Sequence, residues 1–298
     1  MERFLTSAVL RRGEDLVSLA TSRHLCQAMD SPSRSRIEPA SDAIPRLFDR
    51  YGDRIYRMGL HLCDTQQDAE DMLQETFVRA LKSWERFEGR SSPYTWLHTI
   101  AARACSRQHR RRAGEPSHVE SLDRLLPSGD EPLVAVPIAD ETELDEQVRK
   151  EVEDRVRRCA AALPLHFQLP LVLKDFFDFS TTEVADILGI KEGTVRTRVY
   201  RARMKLRRDL ARALPTRECS AVDHPKRICL DLLYAKQEAL DRGVPFPLPQ
   251  QELCERCHSV FATLDLTQKI FQQLHRDGTL TPEVRRALHG ELKREYSA

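Results

Sequence analysis

Three cysteines near the carboxyl-terminal end of the chain have the residue type and the spacing of a metal site. Cys254 and Cys257 form a Cys-x-x-Cys pair at the predicted start of one helix, and Cys229 lies on the predicted helix before it. Two thiolates from one turn and a third from a neighbouring helix supply most of a tetrahedral shell. The candidates for the fourth ligand are His224, Cys219 and His258, and we select His224.

Three kinds of chemistry remain open for this cysteine group. Zinc would stabilise the local fold without reacting. Copper, iron or a reversible disulfide would instead make the group a regulatory switch, because thiolates bind Cu(I) and are open to oxidation. The third interpretation is a set of unliganded, reduced thiols.

A second group of residues with binding chemistry is the basic stretch at residues 191–212, which has nine lysines or arginines against two acidic residues. Arginine matches phosphate oxygens and the acceptor atoms of guanine, and threonine hydroxyls can contact bases or backbone. The candidate DNA contacts here are Thr194, Arg196, Thr197, Arg198, Arg201 and Arg203. A solvated basic face would have the same composition, so the choice between the two interpretations depends on the neighbouring predicted helices.

Two predicted helices joined by a short turn position these arginines. Ser180 and Glu183 have the spacing of a capping box at the start of the first helix, and Gly189 ends it. In the second helix, apolar residues recur at helical spacing: Val195, Val199, Ala202, Leu206 and Leu210. The arrangement is a helix-turn-helix, whose second helix enters the major groove, and it favours DNA binding.

An acidic cluster lies on an earlier predicted helix that begins near residue 68. The apolar residues of this helix share one face, which leaves five polar residues pointing outward: Asp68, Glu70, Asp71, Gln74 and Glu75. Acidic side chains near a helix amino terminus also interact favourably with the helix dipole. From the residues alone, that structural role is the simpler interpretation of the cluster.

Aromatic and basic residues occur together on the next predicted helix. Tyr94 and Trp96 come at its start, and Arg107 and Arg110 lie near its end. Rings that stack on unpaired bases, with cations that bind phosphates, are typical of single-stranded nucleic-acid binding. The alternative is that Trp96 belongs to the hydrophobic core.

The charge pattern separates these groups along the chain. The chain has 47 basic and 46 acidic residues, but residues 113–146 have ten acidic residues against one arginine. Four prolines also lie there, so we expect a flexible acidic linker.

No apolar run approaches the roughly twenty residues needed to cross a bilayer, and charges interrupt the amino-terminal apolar stretch, so we expect no secretory signal and a cytoplasmic protein. Motifs for phosphate-binding loops and nucleophile elbows are missing, which disfavours an enzyme.

Residues 44–112 and 160–212 closely resemble, in order, the two conserved regions of bacterial extracytoplasmic-function (ECF) RNA polymerase sigma factors. The resemblance implies that the first block is region 2, which binds the clamp helices of the largest polymerase subunit and opens the minus-ten element. It implies polymerase-binding roles for Asp68, Asp71, Gln74 and Glu75. The implied promoter contacts of region 2 are Tyr94, Trp96, Arg103, Arg107 and Arg110. The second block is similar to region 4, whose basic helix reads the minus-thirty-five element.

The last part of the chain is similar to the zinc-binding anti-sigma fold, in which an early cysteine is followed by His-x-x-x-Cys-x-x-Cys. Gln250 stands where that pattern has histidine. The similarity implies metal ligation by Cys229, Cys254 and Cys257, with His224 as our fourth ligand. Our hypothesis is that this extension replaces or assists a separate anti-sigma protein by holding regions 2 and 4 in an inactive or primed arrangement.

Together these features predict an all-α, multi-domain sigma factor without enzymatic activity. Its partners would be core RNA polymerase, promoter DNA and, as a further candidate, an anti-sigma factor; the sigma function needs no cofactor. The alternative is a helix-turn-helix regulator that senses a metal or redox state. The predicted divisions are a disordered tail (1–40), region 2 (41–112), the acidic linker (113–146), region 4 (147–214) and the Cys-rich extension (215–298).

Overall fold

The computed structural model describes residues 38–110, 133–134, 146–212, 216–217, 225–249, 252–274 and 278–297. Helices dominate these residues, which confirms the all-α prediction. The helices are α1 (Ala40–Leu62), α2 (Gln66–Ser83), α3 (Pro93–Arg110), α4 (Glu146–Ala161), α5 (Leu165–Leu171), α6 (Thr181–Leu188), α7 (Glu192–Ala211), α8 (Lys226–Arg242), α9 (Glu255–Leu274) and α10 (Pro282–Ser297). The predicted tail up to residue 37, most of the predicted linker and His224 lie outside the described residues.

Helices α1, α2 and α3 form the first bundle. α2 begins where the Thr65 hydroxyl accepts a hydrogen bond from the Asp68 backbone N–H, which satisfies one of the free donors at the helix start. Gly59 lets α1 and α2 approach closely, because a Cβ at this position would lie 2.8 Å from the Cβ of Ala69. A short 3-10 turn, Trp84–Arg86, extends α2 toward the loop before α3.

Helices α4 to α7 form the second bundle. α5 continues into a π-helical turn, Val172–Phe176, and α6 follows after a short aromatic segment. The predicted capping box is confirmed, since Ser180 and Glu183 exchange side-chain and backbone hydrogen bonds at the start of α6. Gly189 ends α6 in the left-handed conformation with φ of 65°, which confirms the predicted stop.

The two bundles and the end of the extension share one hydrophobic core. A single cluster of buried residues runs from α1–α3 to α5–α7, and it includes Ile270, Phe271 and Leu274 of α9 and Leu288 of α10. A second, smaller cluster joins Met204 of α7 to residues of α8 and α9. The first and second bundles are therefore packed against each other, and the last helices of the chain contact both.

Two strands of two residues each add a small antiparallel pair to the helices. In β1 (Leu133–Val134) and β2 (Thr216–Arg217), Leu133 is opposite Arg217 and Val134 is opposite Thr216. β1 comes from the predicted linker, and β2 follows α7. Among the described residues, none of the helices has the length and apolar content that a bilayer crossing requires.

Candidate nucleic-acid and polymerase interfaces

The start of α7 presents a polar and basic surface. Its apolar stripe is buried as predicted, from Val195 to Leu210. Arg196 and Thr197 are exposed, while Thr194, Arg198 and Arg201 are half-buried. The Thr182 hydroxyl of α6 donates to Glu192 at 2.7 Å, which ties the first helix of the motif to the start of the second. The two helices therefore form the predicted helix-turn-helix with its leading turn accessible.

Arg203 does not lie on this surface, although the sequence assigned it to DNA. Its side chain is 4% exposed. The guanidinium donates to Asp175 from Nε at 2.8 Å and to Gln237 of α8 from Nη1 at 2.9 Å, and Nη2 lies 2.9 Å from Asp241. Burial alone would lower the pKa of Arg203, but the two carboxylates raise it above its ordinary value. The prediction for Arg203 was wrong in this structure, because buried acids neutralise its charge.

The acidic cluster of α2 divides between structural and accessible residues. Asp68 is buried, with its carboxylate accepting from the Thr65 hydroxyl at 2.7 Å and from the Gln108 amide at 3.0 Å. Its predicted outward orientation is therefore wrong, since it closes the cap of α2 and binds α3. Asp71 is exposed and accepts a hydrogen bond from Gln67.

Gln74 and Glu75, which the sequence also assigned to this face, each contact another helix. The Gln74 amide donates to Glu291 of α10 at 2.6 Å. Glu75 accepts from Arg107 of α3 at 2.9 Å and from Arg79 at 2.8 Å. Burial raises the pKa of Glu75, but the hydrogen bonds from Arg79 and Arg107 outweigh this effect and lower the pKa below its ordinary value. One predicted polymerase residue and one predicted DNA residue thus form an ion pair.

The aromatic residues at the start of α3 are packed rather than open to a ligand. Tyr94 is 8% exposed, and burial raises its pKa to about 12. Its ring stacks on Phe179, which lies directly before α6. Trp96 is half-buried against Trp84 and Phe87, at ring-centroid distances of 5.7 and 5.0 Å. In this arrangement the Tyr94 ring is not accessible to a base, and the Trp96 ring is partly covered.

The basic residues of α3 differ in accessibility. Arg103 is exposed, and Arg107 is half-buried beside Glu75. Arg110 ends the helix, and its side chain lies outside the described residues. Arg103 is therefore a basic side chain of this helix that a phosphate can reach in the observed arrangement.

The three predicted cysteine ligands come together at the junction of α8 and α9. The sulfur atoms of Cys229, Cys254 and Cys257 all lie within 4.8 Å of one another. Cys229 and Cys257 are buried, and the sulfur of Cys254 accepts the backbone N–H of Cys257 at 3.4 Å. Hydrogen bonds among the thiols raise the pKa of both Cys229 and Cys257.

This donor set fits a soft metal ion. Four sulfurs around zinc at about 2.3 Å would be roughly 3.8 Å apart, so three sulfurs within 4.8 Å of one another are close to a ligand geometry. A cation at the centre would lower the thiol pKa values that the mutual hydrogen bonds raise. The selected fourth ligand, His224, lies outside the described residues, and His258 is half-buried on α9 next to Cys257.

Several contacts that join the parts of the molecule were missing from the sequence analysis. Phe177 and Phe179 hold region 2 against region 4, and Gln237 and Asp241 hold Arg203. The run of phenylalanines between Asp175 and Phe179 was a usable signal, because so many adjacent aromatics are seldom all exposed. The acceptors on α8 had no such signal.

Comparison with known proteins identifies the family of both bundles. The description "Sigma-70 region 2" matches residues 47–115, and "Sigma-70, region 4" matches residues 153–206. The chain is 32% identical over 171 residues to the ECF RNA polymerase sigma factor SigE of Mycolicibacterium smegmatis, covering 56% of this chain and 61% of that relative. It is 30% identical over 167 residues to the ECF RNA polymerase sigma factor SigM of Mycobacterium tuberculosis, covering 56% of this chain and 76% of the relative.

Among solved structures, the chain is similar to the sigma factor RpoE of Bartonella quintana, which was crystallised with the anti-sigma factor NepR. The TM-score is 0.36 at 24% identity, over 57% of this chain and 91% of that one. We infer nothing about function from a similarity at this score. The region 2 match disfavours the alternative of a helix-turn-helix regulator acting as a sensor. The chain belongs to the ECF RNA polymerase sigma factors, a family of transcription initiation factors without enzymatic activity.

Proposed function

We propose that this protein binds core RNA polymerase through region 2 and reads upstream promoter DNA with α7. The observation that carries this proposal is the accessible basic turn at Arg196 and Thr197, on the second helix of a region 4 motif in the same chain as region 2. Because polymerase and chromosome are its partners, the protein would act in the cytoplasm.

The residues that we assign to each partner are those predicted from the sequence, with two omissions, and Tyr94 is kept although it is buried, because separation of the two regions would expose it. For polymerase they are Asp71, Gln74 and Glu75, and for promoter DNA they are Thr194, Arg196, Thr197, Arg198, Arg201, Tyr94, Trp96, Arg103, Arg107 and Arg110. We omit Asp68 and Arg203, because both are buried and paired within the protein.

The packed arrangement of regions 2 and 4 is the inactive form in this proposal. Tyr94 must leave Phe179 before it can contact an unpaired base, so the two regions have to separate on the promoter. The Gln168 amide also donates to the backbone oxygen of His61 at 2.8 Å, which adds a polar contact between the same two regions. The extension supports this arrangement by holding Arg203 of region 4 through Gln237 and Asp241.

The cysteine group is the regulatory metal site of the proposal. Cys229, Cys254 and Cys257 would bind zinc or another soft ion, which would fix the start of α9 against α8. The same small core includes Met204 and packs Tyr200 beside it, so the site adjoins the helix that we assign to DNA. A change at the site can therefore reach the position of α7 through direct packing.

In vitro transcription with purified core polymerase tests the initiation function. The full chain, a version ending at Leu214 and an Arg196→Ala/Arg198→Ala variant should be compared on genomic fragments. We expect transcripts that depend on the protein and decrease in the arginine variant. If core polymerase with the full chain and with the shortened chain produces no additional transcripts, the proposal is wrong.

Metal analysis of the full chain tests the site. We expect about one zinc or other soft ion per chain, lost in Cys229→Ser, Cys254→Ser and Cys257→Ser. Cys159→Ser is the matched control, because Cys159 is a half-buried thiol on α4 and is not part of the cluster. Equal metal content in all four variants would contradict the assignment.

A further inference from the structure

The last helix, α10, covers a face of region 2. Leu288 and Leu292 are 7% and 3% exposed, and they belong to the same buried cluster as Phe48 of α1 and Leu73 and Phe77 of α2. A small pocket between these helices is lined by these five residues together with Gln74, Val78 and Glu291. The apolar stripe of α10 therefore docks over the groove between α1 and α2.

A polar rim surrounds this apolar contact, and its charges are complementary. Arg285 donates to Asp53 at 2.7 Å, and Nε2 of His289 lies 2.8 Å from Asp49. On the other side of the groove, Lys82 of α2 lies 3.1 Å from Glu295. Asp53 of α1 meets Arg285 of α10, and Lys82 of α2 meets Glu295 of α10, so opposite charges on the two sides of the groove favour one register and direction of the helix.

The turn before α10 packs closely against α1 and places the start of α10 beside it. Gly278 has φ of 91°, a conformation that side chains rarely adopt, and a Cβ there would lie 3.0 Å from Leu60 of α1. The backbone N–H of Leu280 then donates to Asp53 at 3.1 Å, and Leu280 is buried. The contact therefore starts in the turn and continues along the helix as far as Glu295.

The covered face overlaps the surface that we assign to polymerase. Gln74, one of the three proposed polymerase contacts, is hydrogen-bonded to Glu291 of α10. A macromolecule cannot pack against Gln74 while α10 lies there, because Leu288 and Leu292 fill the adjoining groove. This step depends on the proposed function, since it uses the polymerase assignment of Gln74.

We propose that α10 is an intramolecular ligand of the region 2 surface, and that it competes with core polymerase for the groove between α1 and α2. The short connection from α9 gives α10 a high effective concentration at this groove, so a helix of modest intrinsic affinity keeps it covered. Polymerase binds the fraction of molecules from which α10 has dissociated. The measured association constant for polymerase is the intrinsic constant multiplied by that fraction.

The test measures binding of core polymerase to the full chain and to a Leu288→Asp/Leu292→Asp variant. If α10 covers the groove in nine molecules of ten, the variant should bind about tenfold more tightly. The control is Glu283→Ala/Arg286→Ala, which removes an exposed ion pair on the outer side of α10 and should leave affinity unchanged. Circular dichroism verifies that each variant is folded.

A second measurement covers the case in which the aspartates perturb region 2. A synthetic peptide of residues 278–298, added to the double-aspartate variant, should return polymerase affinity to the level of the full chain. Equal affinity of the full chain and the variant, with no effect of the peptide, would overturn the competition alone. Failure of every form to bind core polymerase would overturn the proposed function and the competition with it.

Discussion

The ring of Tyr94 on α3 stacks on the ring of Phe179 before α6, with centroids 5.2 Å apart and an angle of 21° between the planes. His98, one turn after Tyr94, packs edge-on against the same phenylalanine at 4.9 Å. One phenylalanine of region 4 thus covers the aromatic residue that region 2 would offer to promoter DNA. This contact is one of several that join the two regions, and the first prediction concerns it.

Phe179→Ala should lower the free energy of unfolding by about 3–5 kcal/mol, because it removes a fully buried ring and leaves a cavity. Urea denaturation measures the change. Tyr234→Ala is the control, since this ring is 49% exposed and its removal should change stability by less than about 0.5 kcal/mol. A similar small effect for both substitutions would show that Phe179 does not hold the regions together.

Asp175→Ala should lower the free energy of unfolding by about 3 kcal/mol, because it leaves the buried guanidinium of Arg203 incompletely neutralised. The matched control is Glu238→Ala, which removes the exposed partner of Arg242 and should have an effect below about 1 kcal/mol. Chemical denaturation measures the free energy of unfolding of both variants. Equal losses would mean that the buried pair contributes no more than a surface pair.

Arg196→Ala should reduce the salt dependence of promoter binding, because each phosphate contact that is lost removes about one unit from the slope of log K against log salt. Arg203→Met should lower stability without changing that slope, since Arg203 faces Asp175 and Asp241. Titrations of polymerase with each variant on duplex promoter DNA at several salt concentrations measure the slopes. A lower slope for Arg203→Met would restore that residue to the DNA surface.

Glu75→Gln should alter how stability varies with pH. The pKa of Glu75 in the folded protein is below its ordinary value of 4.5, so the carboxylate stabilises the fold above about pH 4.5. This stabilisation is lost as the pH falls through the lowered pKa. The stability difference between the wild type and Glu75→Gln should therefore be full at pH 6 and decrease below pH 4.5. A difference that is constant over this range would contradict the prediction.

Metal removal should lower the melting temperature of the full chain, because an ion that binds the folded cysteine group stabilises the folded state by mass action. Adding zinc should restore it. The Cys257→Ser variant should melt at one temperature with or without the chelator, since it lacks a buried ligand of the cluster. A chelator effect of the same size in Cys257→Ser would place the ion elsewhere.

Local patterns in the sequence predicted the helices and failed where packing decides exposure. Arg203 lies four residues after buried Val199, so helical periodicity places it beside the apolar stripe, and the number of basic residues outweighed that signal. Asp68 lies three residues after Thr65, which is the spacing of a helix cap, and the cap explains its burial. The spacing of Arg203 from Val199, and of Asp68 from Thr65, was sufficient to predict that both side chains are buried.

Other contacts were not predictable from local patterns. The hydrogen bond from Gln74 to Glu291 joins residues 217 positions apart, and neither residue is unusual in its own helix. Tertiary packing selects such partners, because any amphipathic helix of suitable length and charge satisfies the same periodicity. The cysteine cluster was predicted because three thiols at this spacing are rare enough to be informative.

The β1–β2 ladder has only two residue pairs, which makes it a natural reporter of motion in this molecule. So short a ladder does not persist in isolation, and its backbone bonds last only while α7 and α9 stay beside it. Deuterium uptake in β1 and β2 should therefore rise when α9 shifts. In the regulation that we propose, loss of an ion from Cys254 and Cys257 shifts α9, so exchange in these two strands would increase before promoter DNA is bound.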